Sequence, residues 1–258
     1  MTGRADERGA ALARARIDRV KLAEYPGAAP ATIDEALEVQ DAMVACLGDM
    51  VVGWKIGCTS AVAQKALGAD GPFFGPIIAT RCFDSGATVE TAPSAMRIVE
   101  SEVALKLTRA LGPRDEDYDV TEVMAAVGSV HPAIELVNRR APGGLVEGLT
   151  WNIADCGVND AFILGPGVAD ITAIDFSGLV ATVEVNGSPR SSGTGSSALG
   201  GADRALTWLA NEFRRRGRTL AAGQVVTTGL ITEIFTANPG DRVESTFEGI
   251  GKVSVVIA

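Results

Sequence analysis

The stretch Arg97-Ile-Val-Glu-Ser-Glu-Val-Ala-Leu-Lys-Leu107 has the apolar character of a half-buried β-strand. Successive side chains of a strand point to opposite faces, so Glu100 and Glu102 point to the same side. Two carboxylates on one face repel each other unless a cation, an arginine or a proton joins them. Mg²⁺ and Mn²⁺ are hard ions that take such oxygen ligands. The pattern alone leaves two interpretations open, a metal site or an exposed strand face with two solvated glutamates.

A third acidic residue lies in a similar setting. Glu135 belongs to the apolar, strand-like run His131-Pro-Ala-Ile-Glu-Leu-Val-Asn-Arg-Arg140. A lone carboxylate in such a run is costly to bury unless it is paired or binds a metal. The sequence leaves two interpretations open, a third metal ligand or a salt bridge with Arg139 or Arg140.

Two further residues bear on catalysis. Lys55 lies in the apolar run Gly53-Trp-Lys-Ile-Gly57, where a desolvated lysine beside a metal can act as an acid, a base or a partner of an enolate. Its alternative is a lysine that extends to solvent from a strand end. His131 is the only histidine, and it precedes Pro132 in what reads as a loop. No GxSxG motif accompanies it, which argues against a serine hydrolase.

Beyond these motifs, we expect the chain to divide into a helical N-terminal part, residues 1–50, and a β-rich part with the candidate metal ligands, residues 51–258. A first helix is expected from about Asp6 to Tyr25 because the segment is rich in good helix formers. A second should begin after Thr32, with Glu35 completing a capping box. Its buried stripe is expected to comprise Ile33, Ala36, Leu37, Val39 and Met43. The glycine- and proline-containing segment from Gly68 to Pro76 reads as a loop, and so does the glycine-rich segment from Gly193 to Gly201. The remaining expected elements are strands at Met50–Gly57, Ile98–Leu107, Ala133–Val137, Ala161–Leu164, Leu179–Val185, Gln224–Thr228, Arg242–Thr246 and Lys252–Ile257, and helices at Ser60–Leu67 and around Leu206–Phe213, the latter capped by Gly217.

Composition excludes several classes of protein. The formal charge of −9 argues against a nucleic-acid partner, which requires a basic face. The four cysteines form no CxxC pair, so neither a zinc site nor a disulfide framework is expected. No uninterrupted apolar stretch has the length of a membrane span, and the charged N-terminus lacks the apolar segment of a signal peptide. A cytoplasmic protein is the expectation.

These pieces, in this order, resemble the hydratase/decarboxylase branch of the fumarylacetoacetate hydrolase superfamily over nearly the whole chain. The resemblance is carried by Gly53–Ser60, Leu67–Pro76, the Glu100/Glu102 pair, Pro132–Arg139, Gly195–Asn211, Thr228–Thr232, Pro239–Asp241 and Phe247–Gly251.

What the resemblance implies is a fold, a metal and a set of site residues. The fold is α+β, a mixed β-roll or sandwich core with flanking helices, and the protein is expected to form a homo-oligomer. Glu100, Glu102 and Glu135 are expected to hold Mg²⁺ or Mn²⁺. The resemblance also implies catalytic and substrate-binding residues, which are Lys55 and Asp155 for catalysis and Gly75, Pro76, Arg139, Thr228 and Thr232 for substrate binding.

The expected reaction is hydration of a 2-hydroxy-2,4-dienoate of the 2-keto-4-pentenoate type, with a small 2-oxo or 2-hydroxy acid as substrate. A 4-oxalocrotonate-type decarboxylase, a 2-oxo acid tautomerase and a non-catalytic binding protein of the same fold are the alternatives. Thr80 and Cys156 motivate the non-catalytic alternative, because many members of the family carry an acidic residue at the first position and an asparagine at the second. The absence of an N-terminal histidine disfavours C–C bond hydrolysis.

Overall fold

The computed structural model describes residues 2–258, with side chains from residue 7 onward, and shows the expected mixture of helices and strands. The α-helices of this part are α1 (Thr2–Ile17), α2 (Ile33–Leu47), α3 (Ala61–Leu67), α4 (Val120–Met124), α5 (Leu149–Ala154) and α6 (Ala202–Arg215). Its strands are β1 (Val51–Gly57), β2 (Phe73–Ile78), β3 (Cys82–Asp84), β4 (Thr88–Val89), β5 (Ile98–Leu107), β6 (Val127–Val137), β7 (Asn159–Leu164), β8 (Val180–Val185), β9 (Ser188–Thr194), β10 (Val225–Leu230), β11 (Phe235–Thr236), β12 (Arg242–Phe247) and β13 (Gly251–Ile257). Within the described residues, no helix has the length and apolar character needed to cross a membrane.

The strands form two sheets. The larger sheet has eight strands. Seven follow one another in the order β2-β1-β10-β5-β6-β7-β3, and the eighth, β11, pairs with β5. The smaller has five, in the order β4-β13-β12-β8-β9. The small sheet packs mainly on β6 and β7 of the large sheet and also reaches one face of β5, where the buried hydroxyls of Ser101 and Ser245 lie 2.7 Å apart. Val103, Ile134 and Val253 belong to the same buried apolar cluster. The α+β class with a sandwich core, expected from the sequence, is confirmed.

The opposite face of the large sheet carries the charged residues singled out in the sequence. Because side chains alternate along β5, the residues that flank Ser101 point away from the small sheet. A small apolar cluster, including Ala104 and Ala133, shares this face with them. The fold thus leaves one face for the core and one for the candidate site.

The helical N-terminal part differs from expectation in detail. Helix α1 ends at Ile17 and does not continue to Tyr25, because Arg19 adopts a left-handed conformation with φ of 53°. Thr32 caps α2 by accepting the Glu35 N–H, as expected. The Glu35 carboxylate, however, accepts from Ala31 and Arg8 and so leaves the capping box incomplete. Ile33 is 45% exposed and does not belong to the buried stripe, whose other members are buried.

Two expected loops contain strands. The segment Gly68–Pro76 enters β2 at Phe73, and Pro76 is tolerated because β2 is an edge strand that pairs only with β1. His131 lies within β6 and not in a loop. Pro132 is tolerated there because the pairing of β7 with β6 extends only from Ala133 to Val137. Glycine and proline led to the first wrong prediction, and Pro132 led to the second. Whether a proline interrupts a strand depends on whether a neighbouring strand needs its backbone N–H.

The division of the chain at residue 50 stays a prediction. The described part of residues 1–50 contains two helices that pack on each other, and the first strand begins at Val51.

Candidate active site

Strand register brings the three glutamates together. Glu100 on β5 lies directly opposite Glu135 on β6, and Glu102 lies two residues farther along β5 on the same face. One carboxylate oxygen from each residue can be chosen so that all three lie within 4.8 Å of one another. Glu102 and Glu135 are completely buried, whereas Glu100 is partly exposed.

Lys55 reaches the same cluster from β1. Strand β10 separates β1 from β5, and its Thr227 pairs with Lys55 on one side and with Ala104 on the other. The buried Lys55 Nζ lies 3.3 Å from Oε2 of Glu135. The sequence alternative of a salt bridge from Glu135 to Arg139 or Arg140 is therefore wrong, and so is that of a solvent-exposed Lys55.

Each buried glutamate is held by one oxygen and leaves the other without a hydrogen bond. Oε2 of Glu102 accepts from the Gly229 N–H at 2.7 Å and from the Thr227 hydroxyl, whereas Oε1 accepts none. Oε1 of Glu135 accepts from Asn159 Nδ2 at 3.0 Å, and its Oε2 accepts no hydrogen bond. Buried polar atoms without a partner are costly and rare. Oε1 of Glu102 is such an atom, whereas Oε2 of Glu135 is contacted by the Lys55 ammonium alone. These two oxygens beside a third carboxylate fit a hard divalent cation.

The electrostatics of the cluster favour added positive charge. Burial, together with the neighbouring carboxylates, raises the pKa of Glu102 well above its usual value. Burial also raises the pKa of Glu135 to about 7, although Lys55 opposes this shift. Burial acts to lower the pKa of Lys55, but Glu135 and the other two carboxylates outweigh it, so that the pKa is raised. Lys55 is thus a cation, and one ammonium faces three carboxylates.

A cavity of about 760 Å³ opens beside this cluster and reaches Lys55 and Glu100. Thr232, which the sequence placed among the substrate contacts, lines it, and the buried Thr232 Oγ1 has no hydrogen-bond partner. Thr59 and Ser60 line the cavity as well. The cavity therefore has a polar end, marked by Lys55 and Glu100 of the carboxylate cluster, where an acid can be held.

Three other residues that were expected to contact the substrate, Gly75, Pro76 and Thr228, do not line the cavity. Gly75 pairs with Lys55 across β1 and β2, and a Cβ added there would collide with the Cys156 carbonyl. Gly75 and its neighbour Pro76 are not among the residues that line the cavity. Thr228 donates its hydroxyl to the Val103 carbonyl at 2.9 Å, and it does not line the cavity either. The structure places these residues in the supporting sheet.

Asp155 and Arg139 are held in buried networks. Both oxygens of Asp155 accept from Arg140, through its backbone N–H and its guanidinium. The Arg139 guanidinium donates to the carbonyls of Gly144 and Glu147 and to the Tyr25 hydroxyl. Neither Asp155 nor Arg139 lines the cavity. The structure therefore does not bring them to the position of a proton donor or a direct substrate contact.

Thr80 lies at a different place. Its backbone N–H donates to Asp49 at 3.0 Å, and it lines a second cavity of about 530 Å³ together with Arg16 and Arg81. The lack of an acidic side chain at Thr80 therefore does not alter the lining of the 760 Å³ cavity.

Sequence reasoning missed three groups that orient the carboxylates. They are the Asn159 amide, the Thr227 hydroxyl and the Gly229 N–H. Asn159 and Thr227 are ordinary polar residues in apolar runs, and their only signal is that a buried polar side chain needs a buried partner.

Comparisons with known proteins identify a family and relatives for this chain. The family model described as fumarylacetoacetate (FAA) hydrolase C-terminal matches residues 73–258. A 2-keto-4-pentenoate hydratase of Paraburkholderia xenovorans is 32% identical over 207 residues, which cover 80% of this chain and 76% of that protein. A 2-hydroxyhexa-2,4-dienoate hydratase of Comamonas testosteroni is 31% identical over 214 residues, covering 81% and 78%.

The fold also matches a solved structure over almost its whole length. The 4-oxalocrotonate decarboxylase of Pseudomonas putida G7, complexed with magnesium and adipate, superimposes with a TM-score of 0.85. It is 24% identical, and the match covers 98% of each chain. On the family model and the relatives together, the chain belongs to the fumarylacetoacetate hydrolase family.

Proposed function

We propose that the protein is a hydro-lyase that adds water to a 2-hydroxy-2,4-dienoate of the 2-keto-4-pentenoate type, with Mg²⁺ or Mn²⁺ held by Glu100, Glu102 and Glu135. The observation that carries the proposal is the cluster of three carboxylates at the polar end of a cavity, in which Oε1 of Glu102 has no partner and Oε2 of Glu135 is contacted only by the Lys55 ammonium. The relatives named as hydratases support the reaction class.

The metal, when bound, supplies a Lewis acid that stabilises negative charge developing on the C2 oxygen of a 2-oxo acid. Lys55 is positively charged and reaches the cavity, so it holds the enolate oxygen or passes a proton to the carbon chain. Thr232 donates its hydroxyl, otherwise without a partner, to the substrate carboxylate. These roles follow from position and charge.

Asp155 and Arg139 enter the proposal as positioning residues. Asp155 fixes Arg140, and Arg140 donates to the Asn159 carbonyl at 3.0 Å. Asn159 in turn holds Glu135. Arg139 ties down the segment from Gly144 to Glu147, part of which lines the cavity.

The test is the loss of ultraviolet absorbance of freshly generated 2-hydroxypenta-2,4-dienoate, followed with Mg²⁺ and then with EDTA, with product identification. Mg²⁺-dependent loss giving 4-hydroxy-2-oxopentanoate is the expected result. Absence of turnover by intact, metal-loaded protein, for this acid and for its longer homologues, would overturn the hydratase proposal.

Decarboxylation is the second candidate, favoured by the fold match to the Pseudomonas putida G7 decarboxylase. It uses the same electron sink, because the electrons of the broken C5–C6 bond of 4-oxalocrotonate pass through the C3=C4 double bond to the C2 oxygen as the distal carboxyl group leaves as CO₂. Trapping CO₂ from 4-oxalocrotonate in the same reaction vessel distinguishes the two, since hydration releases none.

The proposal includes a cytoplasmic location, in line with the expectation from the sequence, and self-association, which the family resemblance implies. Light scattering of the purified protein at micromolar concentration tests self-association. A mass equal to one chain would contradict it.

A further inference from the structure

The cavity has a charged end and a largely apolar wall. Lys55 and Glu100 belong to the carboxylate cluster and define the polar end. The other polar lining residues are neutral or acidic, and they are Thr59, Ser60, Asn152, Ser197, Thr232 and Glu233. The aliphatic and aromatic side chains of this wall come from several separate segments: Val62, Ala63, Ala66, Leu67, Phe73, Val137, Leu145, Val146, Val158, Leu230, Ile231 and Ile234. A ligand whose acid group binds at the polar end therefore extends along an apolar surface.

The charges of the lining allow one anionic group and disfavour a second. Of the described residues that line the cavity, Lys55 alone is cationic, and it already faces Glu135. Glu233 also lines the cavity and is exposed and acidic. Arg139 is committed to backbone carbonyls. A second carboxylate on the ligand would lose water against aliphatic side chains and find no cation there, which is unfavourable.

The cavity opening is bordered by unusually exposed apolar residues. Val62 is 80% exposed, Val146 is 63% exposed and Ile234 is 48% exposed. A group of exposed apolar side chains around one cavity marks a surface that gains by contact with an apolar ligand. The volume of about 760 Å³ lies in the upper part of the roughly 300–1,000 Å³ range of pockets that bind drug-sized ligands, far more than a five-carbon acid fills.

From these observations we propose that the substrate carries an apolar tail, an alkyl or aryl group on the carbon chain beyond the dienoate, and that acids with a distal carboxylate are rejected. This inference rests on the proposed function, because it takes the polar end as the site of the 2-oxo acid group. It specifies the substrate class of that site.

Binding of unreactive 2-oxo acids to the Mg²⁺-loaded protein tests the tail directly by calorimetry. Each buried methylene is worth about a fourfold factor in affinity. We expect 2-oxooctanoate to bind at least about tenfold more tightly than 2-oxopentanoate. We expect 2-oxohexanedioate to bind at least about tenfold more weakly than 2-oxohexanoate, which has the same number of carbons.

A matched pair of variants locates the effect. Val62→Lys places a cation in the first turn of α3 at the opening, and it should reduce the preference for 2-oxohexanoate over 2-oxohexanedioate severalfold. Val120→Lys makes the same change in the first turn of α4, away from the residues that line the cavity, and should leave the preference unchanged. An equal response of both variants would assign the effect to net charge and overturn the location.

Turnover of dienoates separates the two proposals. Rates on 2-hydroxyocta-2,4-dienoate above those on 2-hydroxyhexa-2,4-dienedioate support the apolar tail. Hydration of the dicarboxylic acid at an equal or greater kcat/KM would overturn the proposal of an apolar tail, and so would equal binding of the two six-carbon 2-oxo acids. The proposed hydratase function would stand in either case. If no 2-oxo acid binds and no dienoate reacts, it is the proposed function that fails.

Discussion

At the scale of single residues, the site depends on how buried charges are balanced. Glu102 is fully buried, and its Oε1 has no partner. Lys55 supplies the only positive charge among the four groups that form the cluster. The excess negative charge of buried carboxylates is tolerated when a bound cation neutralises it, because unpaired buried charges otherwise cost several kcal/mol. The residues that look most destabilising are therefore those that point to a bound cation.

The first prediction concerns Glu102→Gln. The amide keeps the shape of the side chain and removes one of three mutually repelling carboxylates, so the metal-free protein should not lose stability. Metal-dependent activity and the increase in Tm on adding Mg²⁺ should both disappear. Glu184→Gln, on an exposed position of β8, is the control and should behave as the parent protein. A fully active Glu102→Gln variant would remove Glu102 from the ligand set.

The second prediction concerns Lys55→Ala. If Lys55 holds the enolate or moves a proton, kcat should fall by about 10²–10⁴-fold, the range for a positioned acid or base. Mg²⁺ affinity, measured by calorimetry, should change much less, since the lysine is not a ligand. Lys106→Ala, at an exposed position of β5, serves as the control. An unchanged kcat in Lys55→Ala would exclude the catalytic role.

At the scale of elements, the site is a consequence of strand order and close backbone approach. β5 contributes Glu100 and Glu102, β6 contributes Glu135, and β1 contributes Lys55 across β10. The edge strand β2 then packs directly on the turn after α5, where Gly75 meets the backbone of Cys156. The position of β1, and with it Lys55, depends on this contact.

The third prediction follows from that approach. Gly75→Ala should lower the free energy of unfolding by about 1–3 kcal/mol, the usual cost of overpacking, and should reduce activity through displacement of β1. Gly71→Ala makes the same change where an added Cβ meets nothing within 4 Å, and should be neutral or slightly stabilising. Urea unfolding of both variants measures the difference, and equal stabilities would contradict the packing argument.

At the scale of the whole molecule, the two sheets share a core on one face and leave the other for the cavity. Strands from the first half and the last quarter of the chain meet in one sheet, so the site forms only when the large sheet is complete. A metal that binds Glu100, Glu102 and Glu135 bridges β5 and β6. Its binding free energy therefore adds to the stability of the fold.

The fourth prediction is a metal-dependent Tm. At a free Mg²⁺ concentration about 100-fold above Kd, the native state should gain about 2.7 kcal/mol. For a chain of this size that gain corresponds to an increase of about 5–10 °C in Tm. Thermal unfolding with Mg²⁺ and with EDTA measures it. A Tm independent of both would exclude a metal at the glutamates.

The sequence by itself determined local features. Alternation with a period of two is a property of one strand, so the common orientation of Glu100 and Glu102 and the bounds of β5 could be predicted and are confirmed. Helix α6 and the left-handed glycine after it, Gly217, were predictable for the same reason, because helix periodicity and capping are local. The family resemblance depended on the order of such local motifs.

Only the tertiary structure decided which distant charges meet. Glu135 faces Glu100 and Lys55, whereas Asp155 is paired with Arg140. Strand register and strand order set these pairings, and no local pattern encodes either for strands far apart in sequence. The apolar wall of the cavity likewise comes from separate segments of the chain. Burial and pairing are properties of the assembled sheets, which is why the sequence located the carboxylates but not their partners.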